Sequence, residues 1–299
     1  MAAPTLIRSV CNAMERIAPL RLAEKWDNVG LMLESPVQNP TRRSVLLTID
    51  LTTSVVNEAL APNLASPPGV IVAYHPPIFK PALSSITLSN PIQASLLRCA
   101  AEGVSVFSPH TTLDCVFGGI NDWLAHGVLG RSTIDVINHP EVIGRDISIL
   151  GAEKRGLDGE LEGGEGRLVV LPNPIKIGEL ERRIKAFLGL EHVQVGYAAD
   201  GSVSGSGSSE SIIKSVAICA GSGGSMLVGR DADVYLTGEM SHHEVLAAVA
   251  SGKHVILCGH TNTERGYLPV LAKKLRDELK DLGMEVNVSK TDAHPLRIV

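Results

Sequence analysis

The chain has 299 residues, which is enough for one large domain or two ordinary domains with a substantial core. Hydrophobic residues make up 44% of the sequence and charged residues 20%, which excludes an intrinsically disordered protein. The net charge of -5 provides no broad cationic surface, so direct binding to nucleic acid is not expected.

Cysteine usage and the absence of long apolar runs indicate in which cellular compartment the protein occurs. The five cysteines form no Cys-x-x-Cys motif, and several lie in apolar runs, so we expect reduced core cysteines in an intracellular protein. No apolar run reaches the roughly 18 residues of a membrane span. The cytoplasm is the expected location, with nucleus and mitochondrion as alternatives. Residues 1–22 carry three arginines and one acid, which the first helix of the fold explains better than a targeting signal.

The first part of the chain predicts helices that alternate with short strands. Apolar residues at helical spacing predict a helix from Leu6 to Ile17. The segment Trp26-Asp-Asn-Val-Gly30 predicts a structural turn that packs Trp26, and this is favoured over a catalytic role for Asp27. A strand follows over 44–50. Its last residue, Asp50, either supports a ligand or forms a cap or turn.

Two further strands end on histidines. The strand from residue 69 leads to His75, after which Pro76 and Pro77 stop the sheet ladder because proline has no N–H to donate. The segment 90–101 predicts a capped helix, since Asn, Pro and Gln occupy its N-cap, N1 and N3 positions. The next strand leads to His110-Thr-Thr-Leu-Asp114.

The middle of the chain, from about residue 130 to 215, differs in composition from the first part. Glycines between 159 and 166 indicate a loop or hairpin, and residues 177–188 predict a charged amphipathic helix. The Gly/Ser-rich segment 200–211 is predicted to be a flexible loop without a catalytic group.

The last part repeats the pattern of strand and helix. A strand over 215–220 runs into Gly221-Ser-Gly-Gly-Ser225, where a structural turn is favoured over a phosphate cradle. A strand reaching Leu236 precedes a helix that starts near Ser241. The run 255–258 predicts a buried strand before His260 and Glu264, and 285–288 a short strand at a sheet edge.

Together these elements predict an α/β fold with mostly parallel sheets. Imidazole and carboxylate groups at strand ends suit Zn, Fe, Mn or Co, and a carboxylate can bridge two metal ions. Any one such histidine more often caps a helix or bonds backbone, and only the coincidence of four segments favours a metal site. The four segments carry His75, His110 with Asp114, Glu239 with His242, and His260 with Glu264.

Six motifs in order between residues 26 and 264 resemble those of the Nif-three-like family. This is the family of the NGG-one-interacting factor three, also described as a type-two relative of GTP cyclohydrolase I. The motifs are Trp26-Asp-Asn-Val-Gly30, Tyr74-His-Pro-Pro-Ile-Phe79, His110-Thr-Thr-Leu-Asp114, Gly221-Ser-Gly-Gly-Ser225, Thr237-Gly-Glu-Met-Ser-His-His243 and Gly259-His-Thr-Asn-Thr-Glu264.

The resemblance implies a single family region over 1–299 with two α/β lobes, whose approximate bounds are 1–130 and 131–299. It also implies a dinuclear metal site in the cleft between the lobes, and a toroidal homohexamer. It assigns His75, Asp114, His260 and Glu264 as ligands of one or two divalent metal ions, with Glu264 as a bridge. Bacterial members have His-His-Pro where this chain has Tyr74 before His75. The Tyr-His form resembles that of eukaryotic members and implies a weaker, altered or missing second metal.

Two functions from different classes follow from the resemblance. The first is a metal-dependent hydrolase of the cyclohydrolase or phosphoesterase type, which acts on an anionic, nucleotide-like or phosphorylated small molecule. In that case the metal lowers the pKa of a bound water, and His242 or His243 shuttles protons. The second is a non-enzymatic interaction scaffold or transcription coregulator with a structural metal and transcription-related protein partners.

Overall fold

The chain divides into two compact units. The computed structural model describes residues 5–37, 39–79, 83, 85–133, 136, 146–198 and 210–299. The first unit consists of Met1–Leu113 and Leu268–Ala293, and the second of Asp114–Tyr267 and His294–Val299. The first unit therefore ends before the expected lobe boundary at 130/131 and includes a later segment. Most of the predicted flexible loop at 200–211 lies outside the described residues.

The described elements are thirteen strands and ten α-helices. The strands are β1 (Gly30–Leu33), β2 (Ser44–Thr48), β3 (Pro68–Ala73), β4 (Ser105–Ser108), β5 (Ile147–Ile149), β6 (Glu153–Arg155), β7 (Leu161–Gly164), β8 (Arg167–Lys176), β9 (Gln194–Gly196), β10 (Ile212–Ser222), β11 (Val234–Glu239), β12 (His254–Leu257) and β13 (Glu285–Val288). The helices are α1 (Leu6–Ile17), α2 (Thr53–Ala59), α3 (Pro91–Ala101), α4 (Thr111–Cys115), α5 (Ile120–Val128), α6 (Ile177–Leu188), α7 (Gly224–Leu227), α8 (His242–Ala250), α9 (Asn262–Arg265) and α10 (Leu268–Leu279).

Local sequence signals locate most of these elements correctly. Helices α1 and α6 have the predicted bounds, because their apolar residues recur at helical spacing. Asn90 caps α3 by accepting hydrogen bonds from two backbone N–H groups, and Ser241 forms a capping box with Glu244 at the start of α8. None of the described helices is both long enough and apolar enough to cross a membrane.

The first unit contains a five-stranded sheet in the order β1-β4-β3-β2-β13. Strands β4, β3, β2 and β13 run parallel, whereas β1 pairs with β4 in the antiparallel direction. All residues of β2, β3 and β4 are buried, as expected for strands covered on both faces. The predicted edge strand over 285–288 is confirmed as β13, which pairs with β2.

The second unit contains a six-stranded sheet in the order β5-β8-β10-β11-β12-β9 and a β6-β7 hairpin. Only β10, β11 and β12 are parallel neighbours, and the other ladders are antiparallel. The prediction of mostly parallel sheets is therefore wrong, since both large sheets are mixed. The prediction assumed that a helix between two strands connects parallel neighbours. Helix α6 instead leads from β8 to β9, which lies at the far edge of the sheet and pairs antiparallel with β12.

A buried ion pair between Arg167 and Asp122 stabilises the second unit. Arg167 is 0% exposed and Asp122 is 1% exposed, and Arg167 Nη2 donates to Asp122 Oδ2 at 2.9 Å. Arg167 also donates to the carbonyl oxygens of Gly164 and Gly166 at 2.7 Å, and to those of Cys115 and Val116 at 3.3 Å. One guanidinium thus connects the hairpin to the backbone of α4.

Removal of Asp122 should destabilise the second unit strongly. Asp122→Ala leaves a buried guanidinium without its carboxylate, which costs about 3–5 kcal/mol. The control is Glu153→Ala, because Glu153 forms an exposed pair with Arg155 that is worth about 0–1 kcal/mol. Urea unfolding of both variants measures the difference, and equal midpoints would contradict the structural role of the buried pair.

Candidate metal centre

The predicted ligands are distributed over both units of the chain. His75 follows β3 in the first unit, whereas Asp114, His260 and Glu264 belong to the second unit. Each of the strands concerned ends in a turn or glycine that frees the next side chain from the sheet, as is common for ligand sites at the carboxyl ends of strands.

His75 is held by the backbone and by an acid. Its N–H donates to the carbonyl oxygen of Ile49 at 3.0 Å, so the pairing of β2 and β3 continues past the strand ends. His75 Nδ1 lies 2.9 Å from Asp50 Oδ1. An acid on one ring nitrogen fixes the ring orientation and leaves Nε2 for a metal. Of the two roles that the sequence left open for Asp50, this contact supports the ligand-supporting one.

Tyr74 occupies a buried position next to two histidines. The residue is 2% exposed, and its ring centroid lies 4.9 Å from that of His75 and 5.4 Å from that of His110. The backbone N–H of His110 donates to the carbonyl oxygen of Tyr74 at 3.1 Å. Tyr74 therefore packs against His75 at the position where bacterial members are expected to have a second imidazole.

Asp27 fixes His110 in an unusual backbone conformation. His110 has a φ of 32°, and its Nδ1 lies 2.7 Å from Asp27 Oδ1. Asp27 Oδ2 accepts hydrogen bonds from the backbone N–H of Thr111 at 3.1 Å and from its hydroxyl at 2.5 Å. Burial raises the pKa of Asp27, but the hydrogen bonds from His110 and Thr111 outweigh it and hold this pKa below its usual value.

The turn around Asp27 differs from the prediction in one respect. Trp26 was expected to be packed by this turn, but its side chain is 61% exposed. The buried group is Asp27, whose side chain is 0% exposed. The segment is thus a structural turn as predicted, with the acid rather than the tryptophan as its buried anchor.

His260 lies between two carboxylates of the second unit. Its Nδ1 is 2.9 Å from Glu239 Oε1, and its Nε2 is 3.4 Å from Glu264 Oε1. Glu239 is the last residue of β11, and His260 follows the end of β12. Because β11 and β12 are adjacent parallel strands, their carboxyl ends bring these two side chains together. The sequence paired Glu239 with His242, whereas the structure pairs it with His260. Glu264 is 1% exposed.

Gly221 is required by the close approach of the backbone to His260 and Glu264. A Cβ at Gly221 would lie 2.7 Å from Glu264 Oε1 and 3.0 Å from His260 Nε2, and its φ is 64°. The N–H of Gly221 donates to Thr263 Oγ1 at 2.9 Å. This N–H is therefore used within the fold, and the choice between a structural turn and a phosphate cradle for 221–225 stays a prediction.

Asp114 lies in α4 and is tied to the end of β10 by Asn121. Asn121 Nδ2 donates to the carbonyl oxygen of Asp114 at 3.0 Å, and Asn121 Oδ1 accepts from the N–H of Ala220 at 2.9 Å. Burial raises the pKa of the Cys219 thiol to about 12, and the carboxylates of Asp114 and Glu264 contribute to the increase. The carboxylates of Asp114 and Glu264 thus both raise the pKa of the same thiol. Sequence patterns gave no signal for Asn121.

His242 and His243 are the first two residues of α8 and both are exposed. Their ring centroids lie 5.4 Å apart. The helix start that they occupy is stabilised by the capping box of Ser241 and Glu244, with Ser241 N–H donating to Glu244 Oε2 at 2.8 Å. Their role as proton shuttles stays a prediction.

A methyl group at Gly221 should disrupt the arrangement of His260 and Glu264. Gly221→Ala introduces backbone strain of about 1–2 kcal/mol and, in addition, a steric clash with both side chains. The control is Gly229→Ala, since Gly229 has a φ of 86° and nothing lies within 4 Å of its Cβ position. Thermal unfolding and metal content of the two variants test this, and equal losses in both would show that strain alone matters.

Comparisons with known proteins agree with these motifs over nearly the whole chain. The family model described as Duf34/NIF3 (NGG1p interacting factor 3) matches residues 5–295. The "Protein NIF3 homolog" of Schizosaccharomyces pombe is 46% identical over 287 residues, which cover 95% of this chain and 94% of the homolog. The "NGG1-interacting factor 3" of Saccharomyces cerevisiae is 37% identical over 304 residues, covering 98% and 96%.

The fold is also similar to that of solved structures. A Bacillus cereus protein related to NIF3 superposes with a TM-score of 0.74 at 19% identity, and the match covers 100% of both chains. At this identity the likeness shows the fold alone. The family model and the two fungal relatives show that the chain belongs to the Duf34/NIF3 family.

Proposed function

We propose that this chain is a metal-dependent hydrolase that acts on a nucleotide-like or phosphorylated small molecule. One or two divalent ions of Zn, Fe, Mn or Co would be held by imidazole and carboxylate groups, which these metals bind well. The ligands that we assign are His75, Asp114, His260 and Glu264. Of these, His260 and Glu264 lie together in the second unit, and the proposal adds His75 of the first unit to the same ligand set.

The observation that carries the proposal is the contact of His260 with two carboxylates. When His260 Nδ1 donates to Glu239, Nε2 presents a lone pair only 3.4 Å from Glu264 Oε1. A metal ion bound between these two atoms would be attracted to both of them. Because Glu264 is 1% exposed, water screens this attraction poorly, so a positive charge at this point would stabilise the pair.

The residues around the assigned ligands also favour metal-dependent hydrolysis. A bound divalent ion would supply a Lewis acid for a phosphoryl or carbonyl oxygen and would lower the pKa of water. Asp50 and Glu239 orient the imidazoles of His75 and His260 through Nδ1. The exposed His242 and His243 at the start of α8 are the proposed carriers of protons to solvent.

Elemental analysis tests the ligand assignment. Wild-type protein should contain one or two metal ions per chain, and His75→Ala, Asp114→Ala, His260→Ala and Glu264→Ala should each lose most of them. Asp50→Asn should weaken metal binding by about 10–100-fold, because the acid supports His75 without binding the ion.

His192→Ala is the matched control, since His192 is an exposed histidine whose removal should leave the metal content unchanged. Metal-free wild-type protein would refute the metal assignment. Turnover is measured separately on a panel of nucleotides and phosphoesters. Stoichiometric metal without any metal-dependent turnover would refute the hydrolase and leave the metal site standing.

Tyr74 determines how many ions the chain binds. Tyr74→His introduces a second imidazole beside His75 and should raise the metal content towards two ions per chain. Tyr74→Phe is the control, because it keeps the buried ring that packs against His75 and His110 and should leave the metal content as in wild type. The same metal content in Tyr74→His as in wild type would show that this position has no influence on the second ion.

The alternative function is a protein-interaction scaffold in which the metal is structural. It is favoured by the name of the Saccharomyces cerevisiae relative, which describes a factor that interacts with NGG1. A homohexamer and transcription-related partners belong to this proposal. His260→Ala and Glu264→Ala variants that keep the oligomer and its partners would support the scaffold, whereas loss of a measurable turnover in the same variants would favour the enzyme.

A further inference from the structure

Two exposed aromatic rings lie beside the His75 end of the first unit. Phe, Trp and Tyr together make up only 3% of the sequence. Trp26 and Phe79 nevertheless have 61% and 53% of their surface exposed. Their ring centroids are 6.0 Å apart with an angle of 39° between the planes. Two adjacent exposed rings in a chain with so few aromatic residues form an apolar patch of the kind that binds ligands.

The backbone below both rings is held in place. Asn28 Nδ2 donates to the carbonyl oxygen of Ile78 at 2.5 Å, so the segment that follows Trp26 is joined to the residue that precedes Phe79. Asp27 is buried and bonded to His110 and Thr111. The rings therefore project from a fixed frame, which reduces the conformational entropy that a ligand has to overcome on binding.

His110 connects the two rings to the proposed ligand His75. The His110 ring centroid lies 5.9 Å from Trp26 and 6.0 Å from Phe79, at angles of 78° and 66° between the ring planes. It also lies 5.4 Å from the ring centroid of His75. The edge contacts of His110 support both aromatic rings without covering their exposed surface, and they place the pair one side chain away from His75.

The size of the pair indicates what kind of ligand it fits. Each ring can bury at most about 150–250 Å². A stable protein–protein interface needs about 800 Å² on each partner. The two rings alone cover less than this area, whereas one planar ring gains roughly 1–3 kcal/mol by stacking on an aromatic side chain, so a small planar ligand fits the pair best.

We propose that Trp26 and Phe79 bind the planar heteroaromatic ring of the substrate, such as a nucleobase, while its polar part lies towards His75. This assignment rests on the proposed function and specifies its substrate class. It predicts that an aromatic base is required for binding and that a sugar phosphate alone binds much more weakly.

Tryptophan fluorescence provides a specific probe for this site. The chain has two tryptophans, of which Trp26 is exposed and Trp123 is 1% exposed. Titration of the metal-loaded protein with AMP, GMP or CMP should quench the Trp26 emission in a saturable way, and ribose 5-phosphate should not. Phe79→Ala should weaken nucleotide binding by roughly 5- to 150-fold. Phe79→Tyr keeps an aromatic ring and should bind like wild type.

Controls separate stacking from other causes. Ile212→Ala removes an exposed apolar side chain that is 56% exposed in the second unit, and it should not alter nucleotide binding. Trp26→Leu should lose binding and Trp26→Phe should keep it, as measured by equilibrium dialysis with labelled AMP. Equal affinity for AMP and ribose 5-phosphate, or no response to any of the three nucleotides, would overturn the assignment. The same holds if Trp26 is shielded from iodide quenching by a second copy of the chain.

A failure of the aromatic site can be distinguished from a failure of the proposed hydrolase function. Metal content and turnover are determined on the same protein samples. Saturable quenching by nucleotides in a protein without metal or turnover would support the aromatic site and refute the hydrolase. Metal-dependent turnover of substrates without an aromatic ring would support the hydrolase and overturn the aromatic site.

Discussion

The buried carboxylate of Glu264 beside His260 is the constraint that determines the sequence around it. A charge that is 1% exposed is costly unless a cation or hydrogen bonds compensate it. The neighbouring backbone has to pass so close that only glycine fits at 221. Gly238 is equally restricted, since a Cβ there would lie 2.6 Å from the Gly221 carbonyl oxygen and 2.7 Å from His260 Cα. Glycine at 221 and 238 therefore reflects close packing of the backbone around His260 and Glu264.

The sequence predicts the helices and strands better than the way the strands pair. Helices α1 and α6 and strand β13 have the predicted bounds, because apolar periodicity and capping residues are local signals. The direction of a neighbouring strand is not local information. Strand β8 contains an apolar run, but nothing in its sequence shows that it pairs antiparallel with β10, about forty residues later. The prediction of mostly parallel sheets failed for this reason.

The candidate ligands were predictable by type and position, while their hydrogen-bond partners were not. Histidines and acids that directly follow apolar runs are visible in the sequence, and this located His75 and His260. Glu239 was assigned to His242, three residues away, but it contacts His260, which is 21 residues away. The correct pairing follows once β11 and β12 are known to be parallel neighbours, since their carboxyl ends then lie side by side. Asp27 and His110 are also in contact although they lie 83 residues apart, and no local pattern in the sequence pairs them.

Tyr74 shows how one substitution can alter a site without altering the fold. Its backbone N–H donates to the carbonyl oxygen of Thr48 at 2.9 Å, as the parallel pairing of β2 and β3 requires of any residue at this position. This hydrogen bond involves backbone atoms alone, so it does not depend on which side chain occupies position 74. A buried phenol ring packs against His75 and His110 where an imidazole would offer a ligand atom. Under the proposed function, residue 74 is therefore expected to decide whether a second imidazole is available beside His75.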